Sequence, residues 1–145
     1  LKQRGVLVLS QTSEQGYITD RPVVYDITVS ALESLTLSGT ASVVIDNRTG
    51  ERFTVDSSGK GTITVNGAVT EQTVNISGLG AYYGFGLQTD ITTVTISGTV
   101  DAQVTATEQL NVTLTSAGGI LYRGDPDVMQ SITGTGEIIQ DTQAE

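Results

Sequence analysis

The sequence predicts an all-β chain: a single-stranded, right-handed parallel β-helix with coils of about 18–21 residues. Three observations predict it. Val and Ile supply 27 of the 145 residues and Thr a further 23, an abundance of β-branched side chains that suits strands. No apolar window recurs at helical spacing over three turns, so almost no helix is expected. A short pattern also keeps returning, as "VNISGLG" from Val74, "VTISGTV" from Val94 and "VTLTSAG" from Val112.

The repeat extends over six segments: "LTLSGTASV" from Leu35, "FTVDSSGKG" from Phe53, "VNISGLGAY" from Val74, "VTISGTVDA" from Val94, "VTLTSAGGI" from Val112 and "QSITGTGEI" from Gln130. The steps between them are 18, 21, 20, 18 and 18 residues. As strands, alternate side chains take opposite faces. The column Leu37, Val55, Ile76, Ile96, Leu114 and Ile132 is apolar throughout and is expected to face a core. The column Thr36, Thr54, Asn75, Thr95, Thr113 and Ser131 is polar and is expected to face water. Small residues follow, and at Gly39, Gly78, Gly98 and Gly134 the chain is expected to turn.

A second strand then presents the inward column Val43, Ile63, Tyr82, Ala102, Ile120 and Ile138. Leu32, Ile91, Leu110 and Val128 suggest a weaker third side. An antiparallel meander would also space short strands evenly. It gives no reason to keep one residue class at one place in every unit, whereas a solenoid stacks each residue on its equivalent at about 4.8 Å. The right-handed sense follows from the crossover preference of parallel strands.

Length fits one domain spanning residues 1–145. The absence of Cys and His removes thiol nucleophiles, imidazole bases, disulfides and the usual zinc or haem ligands. No catalytic, cofactor-binding or metal site is read from the sequence. Net charge is −9, with −1 in residues 1–60 and −8 in residues 61–145. Such a surface repels nucleic acid and anionic lipid. The longest apolar run, Val6–Leu9, is far shorter than a transmembrane span.

The serial V-x-I-S-G units resemble the bacterial family of putative auto-transporter adhesins with a head GIN domain. The ending "LYRGDPDVMQSITGTGEII" from Leu121 to Ile139 resembles it too, through a Tyr-x-Gly-x-Pro turn and a closing Gly-x-Gly. The resemblance runs from about Pro22 to Ile139 and implies a right-handed β-helix of a cell-envelope or secreted protein. It also implies that coils of the full family domain precede this chain. The turns depart from the G-S-G-D form at Gly98-Thr99-Val100-Asp101 and Ser116-Ala117-Gly118-Gly119.

Several motifs have a chemical reading beside a plainer one. Arg123-Gly124-Asp125 matches an integrin ligand, but Gly-Asp-Pro is first a turn. Asp125 and Asp127 offer carboxylates to calcium, which wants six to eight oxygens and finds no second acidic cluster nearby in sequence. Asp101 and Glu137 share a column two coils apart, a separation near that of an inverting glycosidase's acids. No cleft accompanies them. The hydroxyl columns beginning at Thr36 and Ser38 suit ice binding or simply an exposed strand face, and Asp56 and Asn75 interrupt them. Asn47, Asn75 and Asn111 match glycosylation acceptors, which chance explains in a chain rich in Thr and Ser. In "AYYGFG" from Ala81, Tyr82 is expected to fill the core and Tyr83 to pack on the surface.

The functional expectation is a non-enzymatic cell-envelope or secreted protein, adhesive or scaffolding through its long faces, with protein or polysaccharide at the cell surface as partner. The alternative is a carbohydrate-active β-helix that binds or cleaves polysaccharide. The candidate partner strip is Val44, Tyr83, Leu121 and Ile139, the apolar members of the second strand's outward column. A local bulge burying Leu121 instead of Ile120 would remove it. A second expectation is self-association through an exposed N-terminal edge at Gly5–Gln11.

Overall fold

The computed structural model describes residues 31–142. Ten strands follow one another: β1 (Ser34–Leu37), β2 (Thr40–Ser57), β3 (Lys60–Ile76), β4 (Leu79–Gly84), β5 (Leu87–Ile96), β6 (Thr99–Thr105), β7 (Gln109–Leu114), β8 (Gly119–Arg123), β9 (Asp127–Ile132) and β10 (Glu137–Gln140). There is no helix among the described residues. Every pairing is parallel, and the strand order β10-β8-β6-β4-β3-β5-β7-β9, with β2 joining β1 to β3, is that of stacked coils. The fold is a parallel β-helix, as the repeat requires. β2 and β3 are long because each runs through a whole coil. β2 pairs with β3 through all three sides, with one irregularity between Ile45 and Arg48. Asn47 takes a left-handed φ of 58° there, which turns the chain.

On the second side the inward column is as the sequence predicts: Val43, Ile63, Tyr82, Ala102, Ile120 and Ile138 pair in series. On the first side one unit is shifted. Leu35 pairs with Val55 and Leu37 with Ser57, so Val55 stacks with Val74, Val94 and Val112, while Ser57 stands between Leu37 and Ile76. The second segment therefore begins at Val55, not Phe53, and Asp56 replaces Thr54 in the outward column between Thr36 and Asn75. A slip of two keeps side-chain parity, so the wrong alignment still places apolar residues inward. The third side also differs. It is formed by Arg48–Gly50, Gly67–Val69 and Leu87–Thr89. Leu110 and Val128 instead stand second in the first-side strands β7 and β9, where Leu110 stacks on Thr92; Ile91 faces outward beside Glu71.

The core holds Phe53, Val55, Val65, Val74, Tyr82, Leu87, Val94, Ile96, Leu110 and Leu114, each fully buried. Polar groups enter it as well. Gln72, in the column between Phe53 and Thr92, donates its amide to the Tyr82 hydroxyl. Burial pushes the Tyr82 phenol well above its ordinary pKa, and the Gln72 bond opposes this only in part. Thr89 Oγ1 donates to the Thr105 carbonyl at 2.6 Å and lies 2.5 Å from Thr92 Oγ1, which is left to donate to it. Arg48 is 6% exposed, with its guanidinium 5.4 Å from the Phe53 ring centroid and Nη2 donating to the Arg52 carbonyl at 2.5 Å. Desolvation holds its pKa below the usual arginine value, with Glu33 pulling the other way. Polar residues thus stand inward among the apolar ones, and their pairing is incomplete: Gln72 Oε1 and Arg48 Nε are buried without a partner.

Tight stacking explains the glycines at one corner. Gly61 and Gly80 take φ of 149° and 137°, and a Cβ at either would lie 1.8 Å from a carbonyl oxygen of the coil before. Only glycine lets the rungs approach there.

Candidate functional site

Outward side chains make two long faces. On the second side Val44, Thr64, Tyr83, Gln103, Leu121 and Ile139 pair in series, in the predicted register. Val44 is 63%, Tyr83 43% and Ile139 47% exposed; Leu121 is half-buried. Ile120 is the buried neighbour, so no bulge exchanges the two. Leu79, also exposed, stands one corner away in β4. The column between is small or acidic: Thr62, Ala81, Asp101, Gly119 and Glu137. Tyr83 therefore rises from a low, flat bed.

The first side is polar. Its outward columns run Ser34, Thr54, Thr73, Thr93, Asn111, Met129 and Thr36, Asp56, Asn75, Thr95, Thr113, Ser131. A shallow groove of about 200 Å³ crosses four rungs, lined by Thr36, Asp56, Ser58, Asn75, Ser77 and Thr95 among others. Within it Asn75 Nδ2 donates to Asp56 Oδ1 at 2.8 Å. The hydroxyl array is broken at its centre by this carboxylate–amide pair. Arg52 and Glu71 form an exposed ion pair at 2.8 Å on the same side, of little energetic weight.

The remaining sequence candidates sit as follows. Arg123 is committed within the protein. It stacks 3.9 Å from the Phe85 ring centroid, and Nε and Nη2 both reach Asp141 Oδ2 at 2.7 Å. Gly124 has φ of 102°, and a Cβ there would meet the Ala106 carbonyl at 1.9 Å. The Arg-Gly-Asp tripeptide is thus a structural corner whose cation is already held. Asp125 and Asp127 are both exposed, and the Asp127 N–H donates to the Glu108 carbonyl as β9 begins. Asp101 and Glu137 flank Gly119 in one column, and Asp101 Oδ1 accepts the Gly119 N–H at 3.1 Å. Asn75 and Asn111 lie within strands with their amides hydrogen-bonded, to Asp56 and Thr93. Asn47 is exposed at its corner. The proposed N-terminal edge at Gly5–Gln11 lies outside the described residues.

Two features escaped the sequence reading. One is the Arg123–Phe85–Asp141 lock, whose members stand at one corner, Phe85 two coils before Arg123 and Asp141 one coil after it. The other is the carboxylate–amide pair of Asp56 and Asn75, hidden by the two-residue slip. Asn75 falls beside Asp56 only when the second unit starts at Val55, level with Val74.

The family described as "Putative auto-transporter adhesin, head GIN domain" matches residues 2–126. No curated protein matches the chain. Of solved structures, a putative adhesin from Bacteroides fragilis superposes with a TM-score of 0.64 at 20% identity, over 76% of this chain and 61% of that one. A putative lipid binding protein from Parabacteroides distasonis superposes with a TM-score of 0.58 at 23% identity, over 75% of this chain and 53% of that one. The chain thus spans less than two thirds of either neighbour. At these identities the likeness is one of fold.

Proposed function

Because the chain belongs to the family of putative auto-transporter adhesins with a head GIN domain, we propose that it is a non-enzymatic, adhesin-like protein of the cell envelope or of the secreted set. It meets its partner through the second side. The observation that carries this is the outward column of Val44, Tyr83, Leu121 and Ile139. Val44, Tyr83 and Ile139 stand exposed beside a bed of Thr62, Ala81 and Gly119, with Leu121 half-buried between Tyr83 and Ile139. A mainly apolar column, interrupted by Thr64 and Gln103 and flanked by Asp101 and Glu137, suits a protein surface or a sugar ring laid on Tyr83. The acids on this side favour binding over cleavage, since the Asp101 carboxylate already serves the Gly119 N–H. No helix among the described residues is long and apolar enough to cross a membrane.

The test is retention of the purified chain on a panel of neutral and acidic polysaccharides and on whole bacterial cells, with reducing ends assayed in parallel. Retention without product is expected. Leu121→Ser combined with Ile139→Ser should lower retention at least about tenfold while shifting the melting temperature by no more than a few degrees. Release of reducing ends would overturn the non-enzymatic reading. Undiminished retention by the double variant would move the contact off this strip.

A further inference from the structure

β9 closes one end of the described stack. It pairs with β7 on one side, and among the described residues nothing pairs with its other edge. The hydrogen bonds to β7 show which groups that edge presents. The Asp127 N–H donates to the Glu108 carbonyl at 2.9 Å and the Thr133 N–H to the Leu114 carbonyl at 3.0 Å. Alternation assigns Met129 and Ser131 to β7 as well. Val128, Gln130 and Ile132 therefore turn their N–H and C=O groups to the open edge.

The same three residues point their side chains inward, below Leu110, Val112 and Leu114. Val128 and Ile132 are each 37% exposed and Met129 58%. No Pro, Lys or Arg lies within β9 to discourage pairing. One residue is out of keeping. The column Val55, Val74, Val94 and Val112 ends in Gln130. A further parallel rung of the same kind would bury that amide under an apolar residue with no partner. The other inward glutamine, Gln72, has the Tyr82 hydroxyl.

We propose that two copies of this chain join end to end through antiparallel β9 strands, on a two-fold axis passing through Gln130. This assignment is independent of the adhesin reading. With the axis there, Gln130 faces Gln130 of the second copy, and Val128 faces its Ile132. All are edge-facing residues, so each facing pair exchanges both backbone hydrogen bonds. Parity is correct too: the apolar side chains of each facing pair lie on the interior side and cover one another. The two inward amides become each other's partner. An axis at Met129 would set Ile132 against Pro126, which has no N–H to give. β9 carries a single charge, Asp127. The two-fold places the two Asp127 residues about 20 Å apart along the ribbon, from six residues of strand rise. That separation exceeds the screening length at physiological salt.

Sedimentation equilibrium of the 145-residue chain tests this, with far-ultraviolet circular dichroism to report the fold. A discrete dimer is expected at tens of micromolar. Gln130→Pro should weaken it at least about tenfold by removing two central hydrogen bonds, with an unchanged spectrum, because that N–H has no partner among the described residues and an edge strand tolerates proline. Gln130→Glu should have the same effect by setting two carboxylates face to face. A wild-type chain that stays monomeric at 100 micromolar or above (on the order of ten times the expected dimer range) overturns the proposal. So does an open series of larger species, or a dimer that survives both substitutions in folded variants.

Discussion

Replacing Tyr82 by Phe tests how the interior polar pair contributes to stability. The change removes one oxygen from a fully buried side chain and leaves its ring in place. It also strands the Gln72 amide, which is 1% exposed and has no other hydrogen-bond partner, its Oε1 being unpaired already. A net hydrogen bond is worth about 1 kcal/mol and a stranded buried donor costs about 1–3 kcal/mol, so Tyr82→Phe should destabilise by about 2 kcal/mol. Gln72→Leu should cost about as much, because it strands the phenol. The double variant removes both polar groups, including the unpaired Oε1, and extends the apolar column from Phe53 towards Leu110. It should lie within about 1 kcal/mol of wild type. The cycle then gives a coupling of about 2 kcal/mol or more. Urea unfolding followed by circular dichroism measures all four chains, provided the m-value is unchanged. If the two single losses simply add in the double variant, the pair is not coupled and the reasoning fails.

Register is tested by Ile96→Asp and Thr95→Asp. Ile96 is fully buried between Ile76 and Leu114, so an unpaired carboxylate there should cost several kcal/mol. Thr95 faces outward and should lose less than about 1 kcal/mol; equal losses in urea melts would refute the inward–outward assignment. Alkaline pH should separate wild type from Tyr82→Phe. The folded-state pKa of Tyr82 is raised, so the stability it confers is intact below about 10, the unfolded value, and is lost as pH rises above it. Above about pH 10 wild type should lose about 1.4 kcal/mol per pH unit more than the variant, and parallel curves would contradict this.

The second side was readable in full because its inward column contains only apolar residues or Tyr, at near-constant steps. On the first side, Phe53, Val55 and Ser57 are all inward. Apolar pattern alone cannot choose between alignments that differ by two, since both obey the strand period. The glycine after Ser57-Ser58 was the better guide, because it aligns Gly59 with Gly39 and Gly78. Ile91 misled in another way. Counting back in twos from Val94 gives Thr92, not Ile91, and alternation overrode hydrophobicity. Gln72 and Arg48 were not legible at all, since polar residues read as outward unless their partners are known, and those partners come from other parts of the coil. The outward strip was legible as a pattern, whereas the Arg123 lock needed Phe85 and Asp141 to be placed at the same corner.

The stacking of whole coils has a mechanical consequence. Every rung lies across the long axis and holds its neighbour by parallel ladders. Tension along that axis meets one rung at a time and peels it, instead of shearing all ladders together. First-side positions recur every 18 residues from Ile96 to Leu114 and again to Ile132. Each released coil of that length gives up to about 60 Å of slack, at about 3.4 Å per residue. A tether built this way yields in repeated small steps, and the coils that remain stacked keep their outward faces intact while it does so.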